Sequence, residues 1–60
     1  MAKYRRYRFD GAGGINGAEW FDASSDDDAV RHVRTLKLPF DSEIWDRNRL
    51  VARVDAARPD

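Results

Sequence analysis

Six consecutive residues near the N-terminus, Tyr4-Arg5-Arg6-Tyr7-Arg8-Phe9, interleave rings with guanidinium groups. On a strand, Tyr4, Arg6 and Arg8 fall on one side, and Tyr7 and Phe9 with the stem of Arg5 on the other. A ring beside two guanidiniums suits base stacking with phosphate pairing, so Tyr4, Arg6 and Arg8 are the candidate nucleic-acid contacts. The competing reading has Arg6 and Arg8 pair across the sheet with carboxylates such as Glu19 or Asp46, which would keep that side soluble. Against recognition of RNA, the chain lacks the paired aromatic motifs of the common RNA-binding sheet module, whose βαββαβ order also differs.

The other chemistry-bearing residues point to structure. Gly11-Ala12-Gly13-Gly14 follows a strand, but a dinucleotide cradle would open a helix, and this loop leads into another strand pattern. It reads as a hairpin turn. Asp22, Asp26, Asp27 and Asp28 lack the alternating ligands, glycine and closing glutamate of a calcium loop. Consecutive carboxylates at a helix start favour the positive end of its dipole instead. His32 is the single histidine. Ser24, Ser25 and Ser42 are the serines, Ser25 fits better as a helix cap, and nothing is placed to orient the imidazole. The expectation is no catalytic set, no metal site and no cofactor, hence a protein that is not an enzyme. Trp20 and Trp45 remain, and tryptophan is enriched in interface hot spots.

The elements that must position these residues follow from pattern. Tyr4–Phe9 is a strand, Asp10–Gly14 a turn, and about Ile15–Asp22 a second strand. In that strand the adjacent Trp20 and Phe21 require either a bulge or an aromatic on each face. Ser25 with Asp28 three residues on resembles a capping box, and Ala29, Val30, Val33 and Leu36 recur at helical spacing. Leu38 precedes a proline, which disfavours helical backbone, so the helix is expected at about 26–37. Ser42–Trp45 and Arg49–Val54 form a second hairpin around Asp46-Arg47-Asn48. In the last strand Leu50, Ala52 and Val54 are expected on one face, with Val51 and Arg53 on the other.

The fold class is therefore α+β: a small antiparallel sheet with one helix packed on one face, in the order ββαββ. A single domain spans 3–55, and 56–60 is expected to fray. One helix covers one face, so the other, expected to carry Tyr4, Arg6 and Arg8 with some of Trp20, Trp45 and Val51, invites company.

The arrangement Tyr4-x-x-Tyr7-x-Phe9-Asp10-x-x-Gly13-x-Ile15, acidic residues before Ala29, and Glu43-Ile44-Trp45-Asp46-x-x-Arg49-Leu50-Val51-Ala52-Arg53 resembles a group of very short uncharacterised alphaproteobacterial proteins. The resemblance covers roughly residues 4–54 and is most specific in the Ile-Trp-Asp-x-x-Arg-Leu-Val-Ala-Arg stretch. It implies a complete domain of bacterial origin and carries no activity. Where that group usually has alanine four residues after the first helical alanine, this chain has Val33, at some cost in helix propensity.

Composition sets the frame. Sixty residues with no cysteine exclude disulfides and thiolate-bound zinc, and a domain this small buries only about 60% of its unfolded surface. The remaining staple is a partner, most simply a second copy. Charged residues make up 37% of the chain at zero formal net charge, which argues against long-range attraction to DNA or anionic lipid. No apolar run reaches membrane-span length and no signal-type h-region follows the basic start, so the expected compartment is the cytoplasm. The functional expectation is a small interaction or accessory protein that self-associates through the sheet as a homodimer, with Tyr4, Trp20, Trp45 and Val51 at the interface. An unidentified protein partner is a further expectation, and weak nucleic-acid binding through the first strand is the alternative.

Overall fold

The computed structural model describes residues 1–57. Four strands and one helix follow in the order β1 (Ala2–Phe9), β2 (Ile15–Ala23), α1 (Asp26–Thr35), β3 (Ser42–Asp46) and β4 (Arg49–Val54). The sheet is antiparallel throughout, with spatial order β2-β1-β3-β4. The ββαββ order and α+β class agree with the sequence reading. Among the described residues, no helix is long and apolar enough to cross a membrane.

Local chemistry sets each boundary. Asp10 shapes the first turn: its Oδ1 accepts from the backbone N–H of Ala12 and Gly14, each at 2.9 Å. Gly13 sits there at φ 87°, a conformation glycine adopts without steric cost. The glycine-rich loop is thus a hairpin turn. Ser25 caps α1 by accepting from Asp28 N–H at 3.2 Å, and the Ser24 hydroxyl bonds the Asp28 carboxylate. The helix ends earlier than the sequence predicts. Lys37 takes the left-handed region at φ 50°, and the N–H groups of Leu36 and Lys37 turn back to Val33 and Arg34 carbonyls. The chain has therefore left the helix before Pro39 can act, and Leu36 is exposed. Arg47, at φ 58°, turns β3 into β4.

Two register shifts redirect side chains. Arg8 opposes Gly17 while Phe9 opposes Ile15, so Asn16 is the extra residue in β2. Trp20 and Phe21 lie in regular register beyond it, opposite Arg5 and Tyr4 respectively, so each face carries an aromatic. In β4 the shift falls between Ala52, opposite Ile44, and Leu50, opposite Trp45. It exchanges the expected sides of two residues: Val51 packs against the core, and Leu50 is exposed.

The core is small. Tyr4, Ala23 and Ile44 from the sheet meet Ala29 and Val33 from α1. Ala29 and Val33 are the buried residues of the helix stripe, and Val30 is half-buried at its edge. The expectation that Tyr4 and Arg6 lie on an uncovered face is corrected here. Tyr4 is 3% and Arg6 5% exposed, because period-two alternation puts them on the side that carries Ile44 and Ser42. Ala56 and Ala57, expected to fray, donate to Asp41 Oδ1 at 2.7 Å and to Leu38 O at 2.8 Å. The remainder of that expected tail, 58–60, lies outside the described residues.

Ile44 is fully buried at the centre of this cluster. Ile44→Ala should cost about 3 kcal/mol, a large share of a small domain's stability, read as a lower urea midpoint. A loss below about 0.5 kcal/mol, the scale of a surface substitution, would contradict this core.

Candidate functional site

The outward side of the sheet is built by the odd-numbered residues of β1. Arg5 opposes Trp20 on one flank and Trp45 on the other, and Trp45 in turn opposes Leu50. One row, Trp20–Arg5–Trp45–Leu50, therefore crosses all four strands. The next row is Ala18–Tyr7–Glu43–Arg53.

The contacts along these rows are mostly between rings and cations. The Arg5 guanidinium carbon lies 4.8 Å from the Trp20 ring centroid and 5.4 Å from that of Tyr7. Tyr7 meets Trp45 edge-on at 6.4 Å, a favoured geometry for aromatic pairs. Trp45 donates Nε1–H to Glu43 Oε1 at 3.1 Å, and Arg53 stands 3.7 Å from the same carboxylate and over the Phe9 ring. Trp20 is 59% and Leu50 48% exposed. A shallow cleft of about 300 Å³ opens between Tyr7, Ile15, Glu43 and Trp45.

The opposite side is engaged within the molecule. Arg6 Nη2 donates to Glu19 Oε2 at 2.6 Å, and the Arg6 and Arg8 guanidiniums lie 6.0 and 5.6 Å from the Phe40 ring. Arg8 Nε stands 3.9 Å from Glu19. A buried guanidinium needs such a partner, because an unpaired one would lose its hydration without return. Tyr4 stacks on Phe21 at 5.8 Å, and Phe21 on His32 at 5.1 Å.

The Tyr4 hydroxyl donates to Asp26 Oδ1 at 2.8 Å. Arg49 holds both oxygens of that carboxylate, at 3.1 and 3.2 Å, and Asp46 at 3.0 Å. The acidic cluster thus splits by position. Asp26 clasps the sheet, while Asp28 meets Ser24, the Ser25 cap and Arg31. Among the described residues, no group of three or more His, Asp or Glu side chains converges as a metal would require.

The two sets of sequence candidates therefore separate. Trp20 and Trp45 share the outward row. Tyr4 belongs to the core cluster, and Val51 packs against it. Tyr4 and Arg6 are buried, and Arg8 is half-buried beside them. Sequence reasoning missed Arg5, Tyr7 and Leu50 as members of the outward face. A usable signal was Glu19, whose alternation with Trp20 supplies an inward partner for Arg6 and turns the indole outward. No protein-family model, curated protein or solved structure matches the chain.

Hydrogen bonds from Arg49, then from Tyr4, hold the Asp26 carboxyl below its ordinary value of 3.8. The bond to Asp26 pushes the Tyr4 hydroxyl above 10.0. A carboxyl depressed in the folded state contributes stability above its unfolded value, lost as pH falls through the folded one. A raised phenol contributes below its unfolded value and is lost as pH rises through the folded one. Asp26→Asn should therefore flatten the acid limb of stability below about pH 4. Urea midpoints measured across that limb check this, and an unchanged limb would contradict the clasp.

Proposed function

We propose that this chain is a small interaction protein that self-associates through the outward side of its sheet, with α1 as the cover of the other side. The observation that carries this reading is the outward Trp20–Arg5–Trp45–Leu50 row, exposed at both ends and half-buried at Arg5 and Trp45 between them. Rings that already flank a guanidinium present a flat, rigid surface, and Trp, Tyr and Arg are the residues that dominate binding hot spots. Arg5 suits such a surface because a guanidinium is weakly hydrated and stacks on aromatic faces.

Size and charge favour a second copy as the occupant. The Cα trace extends 31 × 25 Å in its two longest directions, and a face of that size is comparable to the ~800 Å² per partner that a standard interface buries. Both signs of charge stand on this side, Lys3 opposite Asp22 and Glu43 opposite Arg53. A two-fold axis brings residue i against j and j against i, so a face carrying both signs can complement itself. The nucleic-acid reading has less support. Of its three residues, Tyr4 and Arg6 are buried, and Arg8 leans on Phe40 beside Glu19. Kinship with the short alphaproteobacterial proteins belongs to this proposal and adds no chemistry to it.

Sedimentation equilibrium at high micromolar concentration should give the mass of a dimer. Trp20→Glu, placed on an exposed side chain, should give a monomer with an unchanged far-ultraviolet circular dichroism spectrum. A native chain that stays monomeric at that concentration, or a variant that dimerises equally well, would reject the proposal.

A further inference from the structure

A second concavity, of about 340 Å³, lies between the C-terminal end of α1 and the segment that follows β4. It uses no residue of the Trp20–Arg5–Trp45 row. Val33, Leu38 and Val54 give it apolar surface, and Arg34 and Lys37 bring positive charge. The segment forming its far side is tied down, since Ala56 N–H bonds Asp41 and Ala57 N–H bonds the Leu38 carbonyl. Helix, loop and strand end thus hold the walls in place.

Ser42 gives this cleft a chemical preference. The residue lines it, is 1% exposed, and has a hydroxyl with no hydrogen-bond partner among the described residues. A buried hydroxyl without a partner is costly, and a ligand oxygen would remove that cost. Among the described residues, no hydrogen bond or ion pair engages the side chain of Arg34 or Lys37. The Val33 and Arg34 carbonyls, which would repel an anion, are already occupied by the N–H groups of Leu36 and Lys37. The one carboxylate on the lining, Asp55, stands 3.8 Å from Arg53 Nε.

We propose that this cleft binds a small carboxylate with an apolar body, its carboxylate taken by Arg34, Lys37 and the Ser42 hydroxyl. At roughly 30 Å³ per heavy atom the space admits about ten of them, the size of octanoate. Inorganic anions would leave the Val33–Leu38–Val54 surface unfilled, and a neutral chain would leave both cations unpaired.

Titration of the ¹⁵N-labelled full chain with octanoate, followed by amide shifts, tests the assignment. Saturable shifts at Val33, Ser42 and Val54 are expected, and octanamide should bind at least about tenfold more weakly, a difference of about 1.4 kcal/mol. Both cations are exposed, so an Arg34→Ala, Lys37→Ala double variant should fold and should also lose about tenfold in affinity. Ser42→Ala should bind octanoate more weakly while melting no earlier than the native chain, since it removes an unpaired group. The proposal is overturned if no saturable shift appears at these amides, if octanamide binds as tightly as octanoate, or if the double variant binds like the native chain.

Discussion

The Tyr4 hydroxyl and the Asp26 carboxylate meet at the point where strand, helix and hairpin converge. Asp26 is the first residue of α1, Tyr4 lies in β1, and Arg49 at the start of β4 holds the same carboxylate while also reaching Asp46 at the end of β3. Two strands and the helix are thus tied through one pair of oxygens, and Arg49 extends the tie to the third strand, β3. Because side chains alternate along a strand, fixing Tyr4 inward turns Arg6 and Arg8 inward and Arg5 and Tyr7 outward. The location of the core and the character of the free surface are both consequences of that parity.

The parity has a cost that the fold offsets locally. It brings a guanidinium to 5% exposure, where only a matched carboxylate and a polarisable surface make burial tolerable. Glu19 and Phe40 supply these. Gly17, opposite Arg8, contributes space: a Cβ there would stand 2.4 Å from the Arg8 guanidinium. On the outward side the same alternation gathers Trp20, Trp45 and Tyr7 around Arg5. A surface this rich in rings is the one that the proposed self-association would bury.

Signals local in sequence were legible. The Ser25 cap, the acidic first turn, the Asp10–Gly14 turn and the two hairpins each depend on residues within a few positions of one another, and together they define the ββαββ order. The parity of β1 was not legible, because both of its residue sets mix rings with guanidiniums and neither is plainly the apolar one. Hydrophobicity favoured Tyr7 and Phe9 as core. The decision rests instead on partners far along the chain, Glu19 for Arg6 and Asp26 for Tyr4. The shifts at Asn16 and within Leu50–Ala52 were hidden for a related reason, since a single inserted residue leaves no mark on a short strand until its partner strand is known. Lys37 ended the helix early by adopting a left-handed conformation that a lysine does not announce. The outward site was half legible: both tryptophans were marked as contact residues, and the arginine between them was not.

Nuclear Overhauser contacts from the two tyrosine rings separate the two parities most directly. The Tyr4 ring protons should show strong contacts to the Ala29 methyl group, and the Tyr7 ring should show contacts to the Trp45 indole and none to α1. Contacts from Tyr7 to Ala29 or Val33, with Tyr4 free of the helix, would mean that β1 faces the other way and that the Trp20–Arg5–Trp45 surface is not the open one.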